Sequence, residues 1–146
     1  MTKVIHKSMS LHQAALDGDF AVCRLLLKSG VDVNRKNRRG GTALHYVARR
    51  KNDNYQIASL LPKNGADPNA IYGVRKRRVG NTALHIAVLH EDVRLVRLLL
   101  RNGASIRIRD NDGMTAIAWA HYLGFNNVCK VFGKSPKTIC VPKFLR

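Results

Sequence analysis

The sequence predicts an all-α repeat solenoid, a stack of helix-turn-helix units joined by projecting turns. The phrase TALHYVA recurs as TALHIAV, and weaker versions of it, SLHQAAL and TAIAWAH, occur before and after this pair. The four units align through His12, His45, His85 and Ala118, which lie 33, 40 and 33 residues apart. Self-similarity at a period of this size indicates a repeat architecture.

Each unit follows the same plan from its first residue to its last. A Thr or Ser at the start is suited to the N-cap of a short helix, because its hydroxyl can accept a free N–H of the first turn. A polar break, such as DGD or HED, leads to a second apolar segment. Gly30, Gly65 and Gly103 then fall where a helix ends in a left-handed residue, and a short extended turn leads to the next unit.

The second segment of the third unit has the periodicity of a buried helix. Apolar residues at 93, 96 and 100, joined by those at 95, 98 and 99, form a wide stripe. Arg94, Arg97 and Arg101 lie on the opposite face, where we expect them to be solvated. One such pair of helices cannot bury its own apolar face, so the units must stack.

These motifs resemble the ankyrin repeat. The matching residues are T-x-L-H at 42–45 and 82–85, the run L-L-x-x-x-G-A-D-x-N at 60–69, and the 33-residue period. The resemblance covers residues 8 to 133 and implies a curved stack of helical hairpins with β-turn fingers, whose concave face is lined by fingers and first helices. It also implies that the aligned histidines hydrogen-bond to the finger backbone. We expect an ankyrin-repeat domain over 1–133, with repeats at about 8–37, 38–77, 78–110 and 111–133, and a basic C-terminal tail over 134–146.

The second unit departs from the pattern of its neighbours. The interval from His45 to Gly65 is two residues longer than its counterparts, and the interval from Gly65 to Thr82 is five residues longer. Pro62 removes a hydrogen-bond donor from the last turn of the second helix. We therefore expect the second repeat to be the least stable part of the array. The first and fourth units depart as terminal capping repeats do.

Composition and charge limit the class of protein further. The chain has 146 residues, the length of one domain, and its 26 Lys and Arg against 9 Asp and Glu give a net charge of +17. This surplus favours anionic partners. The N-terminal sequence lacks the apolar core of a secretory signal, and the three cysteines form no CxxC, which indicates a reducing compartment. We expect an intracellular monomer, cytoplasmic or nuclear, without a membrane span.

No cofactor, metal or catalytic site is expected. The three aligned histidines lie one per repeat, about 10 Å apart, so they cannot share a zinc ion whose ligands lie within about 2.1 Å. The sequence contains no GxSxG, P-loop or GxGxxG motif. Cys23 and Cys129 share one position of the first and last repeats, too far apart for a disulfide, and we expect both to be small buried apolar residues.

Basic residues concentrate in the expected fingers, while five of the nine acidic residues lie in the opposite turns, namely Asp17, Asp19, Asp53, Glu91 and Asp92. Because Arg49 and Arg50 end a first helix on the side that we expect the fingers to overhang, the basic residues should form one contiguous strip, accompanied by apolar groups. The predicted partner-binding residues are Arg38, Arg39, Tyr46, Arg49, Arg50, Tyr72, Arg75, Lys76, Arg77, Arg78, Leu89, His90, Met114 and Tyr122.

These features favour a non-catalytic protein-binding module that recognises an acidic partner surface. It would act as an adaptor or stoichiometric inhibitor in signalling or transcription control, as the inhibitor-of-NF-κB family does. The alternative is direct binding of nucleic acid or another polyanion through the basic fingers, although these offer few aromatic residues for stacking. A third possibility is a scaffold fragment whose charge confers only solubility.

Overall fold

The computed structural model describes residues 9–50, 54–73 and 80–133. Within these ranges the chain forms eight helices in four pairs. The first helices of the pairs are α1 (Leu11–Asp17), α3 (Ala43–Arg49), α5 (Ala83–Leu89) and α7 (Ala116–Tyr122). The second helices are α2 (Phe20–Lys28), α4 (Tyr55–Lys63), α6 (Val93–Arg101) and α8 (Asn126–Phe132). Each pair corresponds to one of the four aligned sequence units, so the predicted all-α repeat fold is confirmed.

A hydroxyl residue begins each first helix, as predicted. Ser10 and Thr115 accept the backbone N–H of the third helical residue through their side-chain oxygens, both at 3.2 Å. In the two middle repeats, Thr42 and Thr82 instead donate their backbone N–H to Nδ1 of the histidine three residues later, at 3.1 and 3.2 Å. This capping-box contact fixes each histidine ring against the start of its helix.

The second helices also end where the sequence predicts. Gly30, Gly65 and Gly103 follow α2, α4 and α6 with φ of 83°, 85° and 86°, the left-handed conformation expected there. Pro62 lies in the last turn of α4, yet α4 has nine residues, as α2 and α6 do. The missing donor therefore does not shorten this helix.

The helices form two layers. The first helices α1, α3, α5 and α7 are neighbours in one layer, the second helices are neighbours in the other, and each first helix packs on the second helix of its own pair. The largest fully buried side chains of the core include Leu44, Ile57, Leu84 and Leu99. No helix in the described ranges has the length and apolar character needed to cross a membrane.

Asparagine side chains join one repeat to the next. Asn34 donates through Nδ2 to the Gly65 carbonyl at 2.9 Å and accepts the Asp67 N–H at 2.7 Å. Asn69 makes the same two bonds with the loop of the third repeat, at 3.0 and 2.7 Å. Two hydrogen bonds at each of these two junctions thus fix the register of the first three units.

The turns between helix pairs are named here finger one (31–41), finger two (66–81) and finger three (104–114). Finger two is closed by an antiparallel bridge in which the Tyr72 N–H donates to the Asn81 carbonyl at 2.9 Å, and a similar bridge closes finger three. Lys36 Nζ of finger one donates to the Ile71 carbonyl at 3.0 Å. Adjacent fingers are therefore in direct contact.

The longer intervals of the second repeat fall in its two connections. Helices α3 and α4 are joined by residues 50–54, where α5 and α6 are joined by 90–92. Residues 51–53 of this connection and residues 74–79 of finger two lie outside the described ranges, as do residues 1–8 and the predicted tail over 134–146.

Candidate functional site

One exposed residue of each first helix occupies the same position in the repeat, four residues after the aligned histidine or alanine. These residues are named here the first-helix row, which consists of Leu16, Arg49, Leu89 and Tyr122. Leu16, Leu89 and Tyr122 are 39%, 40% and 43% exposed. Because the first helices are neighbours in one layer, the row crosses all four repeats.

The row brings together three of the predicted partner-binding residues, Arg49, Leu89 and Tyr122. Sequence reasoning missed Leu16, although its spacing of four residues from the aligned histidine is the signal that would have identified it. His90, another predicted residue, follows Leu89 directly and is half-buried at the end of α5.

Arg50 lies apart from the fingers, which corrects the prediction of one contiguous basic strip. Helix α3 begins beside finger one and runs away from it for seven residues, about 10 Å. Arg50 follows its last residue and lies among the interhelical turns, where its Nη1 donates to the Leu16 carbonyl at 2.8 Å. Arg49 lies in the last turn of the same helix, and Arg50 forms a basic patch that is separate from the fingers.

Fingers one and three present exposed basic side chains. Those of finger one are Arg35, Lys36, Arg38 and Arg39, and those of finger three are Arg107 and Arg109. The predicted residues Arg38 and Arg39 are therefore accessible to a partner. The predicted residues of finger two, namely Arg75, Lys76, Arg77 and Arg78, lie in the stretch 74–79 outside the described ranges.

Tyr46 anchors finger one. Its hydroxyl oxygen accepts a hydrogen bond from Asn37 Nδ2 at 2.5 Å, and Asn37 Oδ1 in turn accepts two backbone N–H groups of the finger, at 3.0 and 3.1 Å. Trp119 makes the equivalent contact in finger three, where its Nε1 donates to Asp110 Oδ2 at 2.5 Å. Tyr46 is 7% exposed, so its contribution to a partner surface is the placement of the finger.

Met114 and Tyr72, both predicted to bind a partner, are also used inside the protein. Met114 is fully buried, and its carbonyl accepts from His85 Nε2 at 3.2 Å. Since it has no exposed surface, Met114 belongs to the core and is removed from the candidate site. Tyr72 is half-buried in finger two, with its ring 5.7 Å from the ring of His45.

The aligned histidines connect first helices to fingers. Where Nδ1 accepts the Thr N–H, the ring proton is on Nε2, which can then donate to a finger carbonyl. His85 does so, and His12 Nε2 lies 2.7 Å from the Arg35 carbonyl oxygen, so the role implied by the ankyrin resemblance is confirmed for both. His45 differs, because its Nε2 has no hydrogen-bond partner among the described residues. Burial lowers the pKa of His45 to about 4 and also lowers the pKa of His85.

The remaining chemically reactive groups offer little for catalysis or metal binding. The described part of the chain contains no group of three His, Cys, Asp or Glu side chains that could hold a metal ion. Cys23 is buried, which raises its thiol pKa to about 11, and burial also raises the pKa of the half-buried Cys129. A nucleophilic cysteine needs the opposite shift. The Cys129 sulfur lies 3.6 Å from His121 Nδ1.

Two family models match the chain. The model described as "Ankyrin repeats (many copies)" matches residues 11–61, and "Ankyrin repeats (3 copies)" matches residues 70–139. The chain therefore belongs to the ankyrin-repeat family. Its repeats indicate a protein–protein interaction module, and proteins of this family are generally non-catalytic.

Individual relatives are similar over much of this chain. Ankyrin repeat protein L371 of Acanthamoeba polyphaga mimivirus is 31% identical over 123 residues, which cover 84% of this chain and 15% of that protein. Ankyrin repeat protein FPV031 of Fowlpox virus is 39% identical over 97 residues, 66% of this chain and 27% of that protein. Mitochondrial disaggregase of Bos taurus is 32% identical over 145 residues, 78% of this chain and 21% of that protein. The chain thus spans less than a third of the length of each of these relatives.

Proposed function

We propose that this chain binds a protein partner whose surface combines acidic groups with an apolar centre, and that it acts as a non-catalytic adaptor or stoichiometric inhibitor. The observation that carries the proposal is the first-helix row, because one position is exposed in all four repeats and therefore forms a surface that crosses the whole array.

The row supplies the apolar centre of the proposed interface. Single exposed apolar side chains are common on protein surfaces and need no explanation. Here, however, three of the four row members are apolar or aromatic. Leu89 and Tyr122 lie on the neighbouring helices α5 and α7, while Arg49 on α3 separates Leu16 from them. Exposed apolar groups that lie side by side are typical of interaction sites. Arg and Tyr, the types of Arg49 and Tyr122, are enriched at the energetic centres of interfaces.

The basic fingers supply attraction for an acidic partner. The exposed Arg38 and Arg39 lie in finger one, and the whole chain carries a formal charge of +17. Such a field steers an oppositely charged protein and raises its association rate more than its affinity. The four basic residues Arg75, Lys76, Arg77 and Arg78 belong to the same proposal as a further basic element.

A matched pair of leucine variants tests the row. Leu89→Ser removes an exposed leucine of the row, whereas Leu25→Ser removes one that is 47% exposed on α2, in the other layer. Partners are captured on immobilised protein from a nuclease-treated cell lysate, and dissociation constants are then measured for each captured protein. Leu89→Ser should weaken binding about tenfold, or about 1.4 kcal/mol, while Leu25→Ser stays within about twofold. Equal affinities of the two variants would contradict the proposed interface.

A second pair of variants tests the charge. Arg38→Ser with Arg39→Ser should slow association, most strongly at low salt, while Arg97→Ser with Arg101→Ser, which removes the same charge from the outer helix, should slow it less. Changing Arg75, Lys76, Arg77 and Arg78 all to Ser extends the test to finger two.

The same experiments distinguish a protein partner from a nucleic acid. If capture disappears after nuclease treatment, or affinity falls roughly 10³–10⁵-fold between about 50 and 200 mM salt, a nucleic acid is the ligand instead.

A further inference from the structure

A cavity of about 140 Å³ lies among the interhelical turns, at the ends of the helices remote from the fingers. It is bounded by the end of α3, the start of α4 and the start of α6, so it joins the second repeat to the third. Apolar side chains form part of its wall, and an amide and two guanidinium groups supply polar atoms. These residues are Val47, Ala58, Leu95, Asn54, Arg50 and Arg94.

Asn54 is the polar group of this cavity that most needs a partner. It is the N-cap residue of α4 and is 5% exposed, yet neither its side-chain nitrogen nor its oxygen has a hydrogen-bond partner among the described residues. The residues at the same position before α2 and α6 are Asp19 and Asp92, and each accepts a first-turn N–H of its helix at 3.0 Å. Asn54 makes no such bond, so the first turn of the nine-residue helix α4 also lacks a side-chain cap.

The amide nitrogen of Asn54 is the atom left without an acceptor. Its oxygen and Arg50 Nη1 each lie 3.0 Å from the point that a β-carbon on Gly18 would occupy, so the two atoms are at most about 6 Å apart. The oxygen therefore lies in the field of a cation, although no hydrogen bond joins the two. Nδ2 has no hydrogen-bond acceptor among the described residues, and a buried donor without an acceptor is costly unless a ligand or an ordered water supplies one.

Two guanidinium groups add positive charge at the same place. The Arg94 guanidinium carbon lies 4.7 Å from the centre of the Tyr55 ring, a cation–π contact, and Arg94 is exposed, so its N–H groups can reach a ligand. Arg50 uses Nη1 for the Leu16 carbonyl and retains its other N–H groups. Asp92 also borders the cavity, but its Oδ1 accepts the Leu95 N–H, and two cations outweigh one carboxylate.

We propose that this cavity binds a small oxyanion of the phosphate type. Arg94 and Arg50 neutralise its charge, Asn54 Nδ2 and the uncapped start of α4 donate hydrogen bonds to its oxygens, and Tyr55 limits its outer side. The group can come from free inorganic phosphate or from a small phosphomonoester. The apolar wall formed by Val47 and Ala58 would favour an ester with a hydrophobic substituent.

The first test compares two arginines of α6 that carry the same charge. Arg94 borders the cavity and Arg97 does not, so Arg94→Gln and Arg97→Gln change the net charge equally. Inorganic phosphate is titrated into ¹⁵N-labelled full-length protein at constant ionic strength. Saturable shifts should centre on the amides of Tyr55 and its neighbours, and Arg94→Gln should weaken them about tenfold or more while Arg97→Gln leaves them unchanged.

Other results of the same titration would overturn the proposal. Shifts that do not saturate, that centre on the fingers, or that weaken equally in both arginine variants would show diffuse attraction to a basic protein. If inorganic phosphate causes no amide shifts, the cavity does not bind it, and an ordered water is then the partner of the Asn54 side chain. Asn54→Asp gives a further check, because it keeps the shape of the side chain but replaces the donor with a carboxylate, and binding should be lost.

Two further arms identify the source of the oxyanion and separate this site from the first-helix row. Phenyl phosphate should bind more tightly than inorganic phosphate if the physiological ligand is an ester; tighter binding of the inorganic ion would assign the site to free phosphate. Leu89→Ser, which weakens the proposed protein interface, should leave phosphate binding unchanged. Loss of phosphate binding in that variant would contradict a separate site.

Discussion

His45 should make the folded array less stable in mild acid. His45 is 1% exposed, and this burial is the main reason why its pKa is lowered to about 4. The positive charge of Lys36 acts in the same direction. The backbone groups of Ala70 and Asn81 oppose this shift only in part. In the unfolded chain the ring returns to a pKa of about 6.5. The two states therefore differ in their affinity for one proton.

The size of the effect follows from this difference. Between about pH 6.5 and pH 4 the unfolded chain binds a proton that the folded chain excludes, so the free energy of unfolding decreases as the pH falls. One pKa unit corresponds to about 1.4 kcal/mol, which gives a loss of about 2 kcal/mol at pH 5 and about 3 kcal/mol at pH 4 from His45 alone. His85, whose pKa burial also lowers, adds to the loss. Because a domain is stable by only about 5–15 kcal/mol, this decrease is readily measured.

The assay is urea unfolding followed by circular dichroism at several values between about pH 7.5 and pH 5. His45→Gln is the matched variant, since glutamine at this position can keep a capping-box bond with Thr42 but does not titrate. The free energy of unfolding of the variant should change less steeply, by about 1.4 kcal/mol per pH unit. The carboxylates and the overall charge titrate alike in both proteins and cancel in the comparison. Parallel curves would refute the conclusion that His45 is held neutral.

Two further perturbations test the joints between repeats, both by urea unfolding. Gly40→Ala should destabilise the fold well beyond the roughly 1–2 kcal/mol expected for Gly30→Ala, because both residues have positive φ but only at Gly40 would a β-carbon lie 2.4 Å from the backbone of Gly73. Equal losses would contradict the close approach of fingers one and two. Asn69→Ala should cost about 2 kcal/mol for two lost bonds between repeats, whereas Asn102→Ala removes one bond within its own repeat and should cost about 1 kcal/mol or less. A smaller loss for Asn69→Ala would show that the asparagine bonds do not hold the junction.

The helices could be predicted from the sequence because the repeat supplies several independent markers for each of them. Thr42 and Thr82 mark helix starts, Gly65 and Gly103 mark helix ends, and the apolar stripe between them gives the buried face. Pro62 removes a donor in the last turn of α4, yet α4 keeps its nine residues. The packing of its apolar face outweighs one missing bond near the end.

The candidate site was harder to predict because exposure depends on residues from other repeats and from the fingers. Tyr46 has the chemistry of an interface residue, but finger one covers it through Asn37. Arg94 is exposed, as expected, but it also lies over the ring of Tyr55 of the preceding repeat, a contact that no local pattern indicates. The predicted position of Arg50 beside the fingers was wrong because the prediction considered its charge but not the direction of α3, which runs away from the fingers. The position of Leu16, by contrast, was available from the repeat spacing alone.

The sequence of finger two does not provide the aromatic anchor that holds the other two fingers. In fingers one and three an Asn or Asp five residues before the helix-starting Thr bonds to an aromatic side chain of the following helix. By sequence, the residues at these two positions for finger two are Arg77 and Ile86, and isoleucine can neither donate nor accept a hydrogen bond.

The histidine contact with finger two lacks the hydrogen bond that His12 and His85 make, although backbone groups of Ala70 and Asn81 in this finger lie close enough to raise the pKa of His45. His45 is the aligned histidine that would bind this finger, and its Nε2 has no partner among the described residues. The bridge between Tyr72 and Asn81 and the bond from Lys36 remain. Four consecutive cations repel one another, and this repulsion does not stabilise a finger, which is why the binding role proposed above includes them. If changing Arg75 through Arg78 to Ser removes partner binding but leaves the free energy of unfolding unchanged, then these cations serve the interface; a loss of stability would assign them to the fold.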